Sequence, residues 1–141
     1  MASPSPENSL HLWRSRAIDA FASAEASIDL LLRKANLPSK GDLLSARIER
    51  LRKAKPSAGW PEERKNKLNQ ILVELAALLP LRNDIVHAPM IVRTDRDQAI
   101  ACFANPTLQC EFSRFTREVP APRLQALAGK ASYLAKALEA V

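Results

Sequence analysis

In the stretch LPLRNDIVHAPM, residues 79–90, an arginine (Arg82), an asparagine (Asn83) and one of the chain's two histidines (His87) lie within six positions. Histidine titrates near neutrality, so it can give or take a proton in a reaction. Arginine is permanently charged and carries forked donors that match a phosphate or carboxylate. An amide beside them can orient either group. The other histidine, His11, sits beside Trp13 with no Cys, Asp or Ser arranged around it for catalysis, and reads as surface or packing. Two cysteines and two distant histidines make no zinc signature, so no metal site and no cofactor are expected. The chain has no Gly-rich phosphate loop and no Ser or Cys nucleophile motif, which argues against NTPases and acyl transferases.

The element that must hold these residues is a helix. Pro61 suits a first helical position and Glu62 and Glu63 supply first-turn carboxylates, so a helix should start here and run towards His87. Its apolar stripe is Leu68, Ile71, Leu72, Leu75, Leu78, Leu79, Ile85 and Val86, interrupted by Pro80, where a kink is expected. At about 100° per residue from Leu75, Arg82 falls roughly 20° from the centre of that stripe, off the solvent side. Asn83 and His87, four apart, share one flank. An arginine on a core stripe is costly unless it is paired, for example with Glu74, or unless the stripe there faces a cleft or another subunit.

Three further helices frame this one. Trp13, Ala17, Phe21, Ala24, Ile28, Leu31 and Ala35 step by fours and threes, predicting a long amphipathic helix from Leu10 to Leu37. A shorter helix is expected from Asp42 to Ala54, with Leu44, Ile48 and Leu51 inward and Arg47, Arg50, Arg52 and Lys53 on its surface. After VPAP, a last helix turns Leu124, Leu127, Ala131, Leu134, Leu138 and Val141 to one side. Between HAP and VPAP, the segments MIVRT, AIACF and LQCEFSRF read as a small β-hairpin. A turn centred on Pro106 would set Cys102 opposite Cys110, with two half-buried thiols favoured over a bond. The expected fold is mainly α: an up-and-down bundle of about four helices with a small β-hairpin before the last. Residues 1–8 are expected to be a flexible lead, and 9–141 a single domain.

With 47% apolar residues and few aromatics, the core should be mostly aliphatic. The net charge of +6 favours an anionic partner such as nucleic acid. Residues 40–67 concentrate it, with nine Lys and Arg against four Asp and Glu. Arg47, Arg50, Lys53, Arg64 and Lys67 are the candidates for contact with a nucleic-acid backbone; the alternative is a solvated face. Trp60, between the second and third helices, could stack on a base or plug a loop. No leader pattern and no membrane span is read, and the cysteine usage suits a reducing, cytoplasmic location.

Arg-Asn, three residues, then His near the end of the third helix of a small four-helix protein resembles the HEPN superfamily (higher eukaryotes and prokaryotes nucleotide-binding). In that family an Arg is followed, after four to six residues, by His, often with a polar residue directly after the Arg. Arg82, Asn83 and His87 match these positions, and the order of elements matches over roughly residues 10–141. Pro80 and Pro89 are not part of the family pattern. The resemblance implies a metal-independent endoribonuclease that pairs as a homodimer through the motif-bearing helices. His87 would act as acid or base, Arg82 would hold the phosphate, and Asn83 would orient the phosphate or the imidazole. It also implies RNA as substrate, a role as toxin or defence effector, and a neutralising partner protein. The alternatives are a HEPN-like module that binds or regulates without catalysis, and a basic helical assembly protein.

Overall fold

A computed structural model of the chain describes residues 5–39, 42–104 and 116–141. The described residues form four helices and three strands: α1 (Pro6–Lys34), α2 (Leu44–Lys53), α3 (Glu62–His87), β1 (Met90–Asp95), β2 (Gln98–Ala104), β3 (Thr116–Pro120) and α4 (Ala121–Ala140). The mainly α class with a β element before the last helix is thus observed. Two compact units share this chain, one of Met1–Asp19 and Pro80–Lys130, the other of Ala20–Leu79 and Ala131–Val141. The helices α1, α3 and α4 each run from one unit into the other.

Helix α1 starts earlier than the expected flexible lead allows. Ser5 accepts a hydrogen bond from the Asn8 amide on its Oγ (3.2 Å), and Pro6 follows it as the first helical residue. A serine cap before a proline satisfies a bare amide and sets the helical φ, so SPEN is itself a start signal. At the other end Asn36 adopts a φ of 57°, the Leu37 amide bonds the Leu32 carbonyl (2.8 Å) and the Asn36 amide bonds the Arg33 carbonyl (3.0 Å). This paired arrangement closes a helix through a left-handed residue, a conformation asparagine tolerates. The predicted stripe holds between these ends: Ala17, Phe21, Ala24, Ile28 and Leu31 are buried, although Trp13 is half-buried and Ala35 exposed.

In the unit of Ala20–Leu79 and Ala131–Val141, Leu44, Ile48 and Leu51 of α2 are buried as their spacing predicts. So are Leu68, Leu72, Leu75 and Leu79 of α3 and Ala131, Leu134 and Leu138 of α4. Full burial of each large side chain contributes about 1.5–3 kcal/mol.

The other unit contains the sheet, which is a three-stranded antiparallel meander in the order β1-β2-β3 rather than a single hairpin. β1 and β2 are joined at Arg96 and Asp97, both at positive φ (50° and 65°), as a two-residue turn of the hairpin-favouring hand requires. Cys102 lies opposite Ile91 on one side and Glu118 on the other. The expected turn at Pro106, and Cys110 itself, fall outside the described residues. Ala101, Phe103 and Val119 form a fully buried sheet face, while Ile91, Arg93 and Glu118 lie exposed on the other.

Candidate active site

Helix α3 passes through Pro80 and ends at His87, yet its buried side changes on the way. Before Pro80 the buried apolar residues lie within roughly 60° of Leu75 at about 100° per residue. After it they are Leu81, Asp84, Ile85 and Ala88, at roughly 180–280° on the same wheel. The apolar stripe that would have swallowed Arg82 therefore does not continue past the proline. Arg82 is half-buried, and Asn83 and His87 are exposed. Arg82 thus does not lie on an apolar stripe that could continue into a second subunit.

What the last turns of α3 display is a polar cluster. The Arg82 Nη1 donates to Asn83 Oδ1 at 3.0 Å, so the amide contacts the guanidinium rather than the imidazole. His87 is exposed and makes no hydrogen bond or ion pair among the described residues. At about 100° per residue Asn83 and His87 project roughly 40° apart, and Arg82 and His87 roughly 140° apart. Asn83 thus bridges the arginine to the histidine's side of the helix.

The turn that carries these residues is fixed from behind. Asp84, between Asn83 and Ile85, is fully buried and accepts a hydrogen bond from Arg117 Nε of β3. A buried carboxylate of this kind needs its cation, because an uncompensated charge there is costly. Arg14 of α1 donates from Nε and Nη2 to the Ile85 carbonyl (3.1 and 2.9 Å) and from Nη2 to the Ala88 carbonyl (3.0 Å). Its guanidinium also lies 5.8 Å from the centroid of the Phe103 ring. Sequence reasoning singled out neither Asp84 nor Arg14. Asp84 could not be phased without the change of side at Pro80, and Arg14 lies 71 positions from the carbonyl it meets.

The basic residues of α2 and the start of α3 are placed differently from their expected role. Arg47 is buried and bonds Glu25 and Asp29 of α1, the latter at 2.6 Å. Burial alone would lower its pKa, but the bonds to the two carboxylates outweigh it and hold Arg47 above its ordinary value. It is a structural cation rather than a nucleic-acid contact, because two acids from the neighbouring helix face it. Arg50 bonds Asp42 and the Pro38 carbonyl, and Arg52 pairs with Glu49. Lys65 is buried against the Arg52 carbonyl (2.9 Å) and Asn69 (2.7 Å), where desolvation and then the nearby Arg52 lower its pKa. Lys53, Arg64 and Lys67 stay exposed and make no ion pair among the described residues.

Trp60 is half-buried in a tight turn in which Ser57 and Trp60 exchange backbone hydrogen bonds of 2.9 Å. His11 is exposed, 4.0 Å from Glu7. Among the described residues no group of His, Cys, Asp or Glu could hold a metal ion, and no helix is long and apolar enough to cross a membrane. No protein-family model, curated protein or solved structure matches the chain.

Proposed function

We propose that this protein is a metal-independent endoribonuclease of the HEPN type, with Arg82, Asn83 and His87 as its active residues. The observation that carries the reading is that Asn83 and His87 are exposed at the end of α3, and that Arg82, half-buried beside them, donates to Asn83.

The chemistry follows from the groups. The RNA 2′-hydroxyl attacks the adjacent phosphorus, forming a P–O2′ bond while the P–O5′ bond breaks. His87 takes the proton from the 2′-oxygen or returns one to the departing 5′-oxygen, roles worth about 10²–10⁴-fold each in rate. Arg82 donates to the non-bridging oxygens as their negative charge grows. The products are a 2′,3′-cyclic phosphate and a 5′-hydroxyl.

The divergence of Arg82 and His87 around one helix favours a site completed by a second copy, in which one histidine serves as base and its symmetry mate as acid. The paired state of Arg47 and Arg50 leaves Lys53, Arg64 and Lys67 as the remaining candidates for RNA backbone contact. The test is to incubate the purified protein with RNA and identify the fragment ends while measuring its mass in solution. Cyclic phosphate and 5′-hydroxyl ends from a dimer support the reading. Fragments with 5′-phosphate and 3′-hydroxyl ends contradict the proposed chemistry.

A further inference from the structure

An α-helix satisfies the carbonyl of each residue with the amide four positions later. For Ile85 that position is Pro89, which has no N–H, so the helix cannot bond this carbonyl from within. The structure shows what takes its place: both Nε and Nη2 of Arg14 point at the Ile85 oxygen, and Nη2 also reaches the Ala88 oxygen. The two carbonyls flank His87 in sequence. Just past the helix, the Ala88 amide bonds the Asp84 carbonyl at 2.9 Å. Phe103, fully buried on β2, lies beneath the guanidinium and limits where it can move.

We propose that Arg14 is a positioning residue for His87: its guanidinium replaces the amide that Pro89 lacks and so holds the last turn of α3 in the geometry that presents the imidazole. The inference rests on the ribonuclease reading for its kinetic consequence and on the cap geometry alone for its structural one. A lysine is a poor substitute, since one ammonium lacks the rigid fork that spans two carbonyls. Fraying of the turn would displace the imidazole relative to the phosphate, and a misplacement of about 1 Å costs on the order of 100-fold in rate.

The experiment compares Arg14→Ala, Arg14→Lys and the double variant Arg14→Ala/Pro89→Ala, the last returning a backbone N–H at position 89. Steady-state RNA cleavage is expected to show kcat about 100-fold lower in Arg14→Ala with KM little changed. Pro89→Ala in that background is expected to recover about tenfold or more, because it supplies the missing donor from within the chain. Arg14→Lys, which keeps the charge and most of the stem, should fold in the event that Arg14→Ala does not, and should still lose kcat. In parallel, without RNA, the Ala88 amide is expected to lose protection from hydrogen exchange in Arg14→Ala, and the His87 imidazole resonance to broaden. Unchanged Ala88 protection and an unchanged His87 signal would overturn the inference, whether or not the wild-type protein cleaves RNA. So would a kcat loss that the Pro89 substitution fails to relieve. A wild-type protein that cleaves no RNA contradicts the ribonuclease reading instead, and the exchange data still decide the cap.

Discussion

Arg47 and Arg82 are both arginines on helices with strong apolar faces, and the structure treats them in opposite ways. Arg47, on α2, is buried between Glu25 and Asp29. Arg82, on the far side of Pro80 in α3, is half-buried and held by a neutral amide next to it. The difference begins with depth, since Arg47 is set into the core and Arg82 at its margin. α1 presents two acids to α2, so a cation there lowers the cost of burying them. At the end of α3 Asp84 is buried and bonds Arg117, while Asn83 and His87 are exposed and Arg82 is half-buried. A count of positive charges in sequence cannot tell these apart, because it ignores which acids the fold brings opposite.

Substitutions at the two regions should therefore separate activity from stability. The largest effect is expected at the open cluster: His87→Ala and Arg82→Ala should each lower RNA cleavage by about 10²–10⁴-fold. Both should leave the circular dichroism spectrum close to wild type, and His87→Ala, at an exposed position, should leave the melting temperature there too. Cleavage retained in either variant would break the comparison from that end. Behind the cluster, Asp84→Ala should cost about 3 kcal/mol in urea denaturation, because it leaves Arg117 without its buried acid. A loss under about 1 kcal/mol would show that Asp84 does not anchor the turn.

In the other unit the signs reverse. Arg47→Ala is expected to lower stability by about 2 kcal/mol, by removing two charge-assisted hydrogen bonds from partly buried carboxylates. Its effect on RNA affinity at fixed temperature should be negligible, and a large one would restore Arg47 as a backbone contact. The smallest stability change belongs to Arg64→Ala and Lys67→Ala, within about 0.5 kcal/mol of wild type. If they touch phosphates, each should reduce the slope of log affinity against log salt by about one. An unchanged slope would mark that stretch as a solvated face.

Much of this arrangement was legible in the sequence because it depends on local periodicity. The stripe through Phe21, Ile28 and Leu31, the inward set Leu44, Ile48 and Leu51, and the start of α3 after Pro61 all follow from spacing and cap chemistry. The misses have a common physical origin. A helical wheel assumes one buried side, and α3 has two in succession, so Arg82 was phased onto a stripe that ends at Leu79. Arg47 looked like surface because its acids come from α1, 18 and 22 positions away. The early start of α1 was readable in SPEN, where a serine cap precedes a first-turn proline. A bare Ile85 carbonyl was also implied by Pro89, but that Arg14 should cover it was not, since the partner is set by tertiary packing alone.

The central claim is that the open cluster on α3 is a metal-free ribonuclease site. Its most direct test is cleavage of total RNA in EDTA by the wild-type protein and by His87→Ala, each confirmed folded, with the fragment ends identified. The account predicts cleavage that survives chelation, leaves 2′,3′-cyclic phosphate ends and disappears in the variant. Equal cleavage by both proteins, or none by a folded wild type, would contradict it.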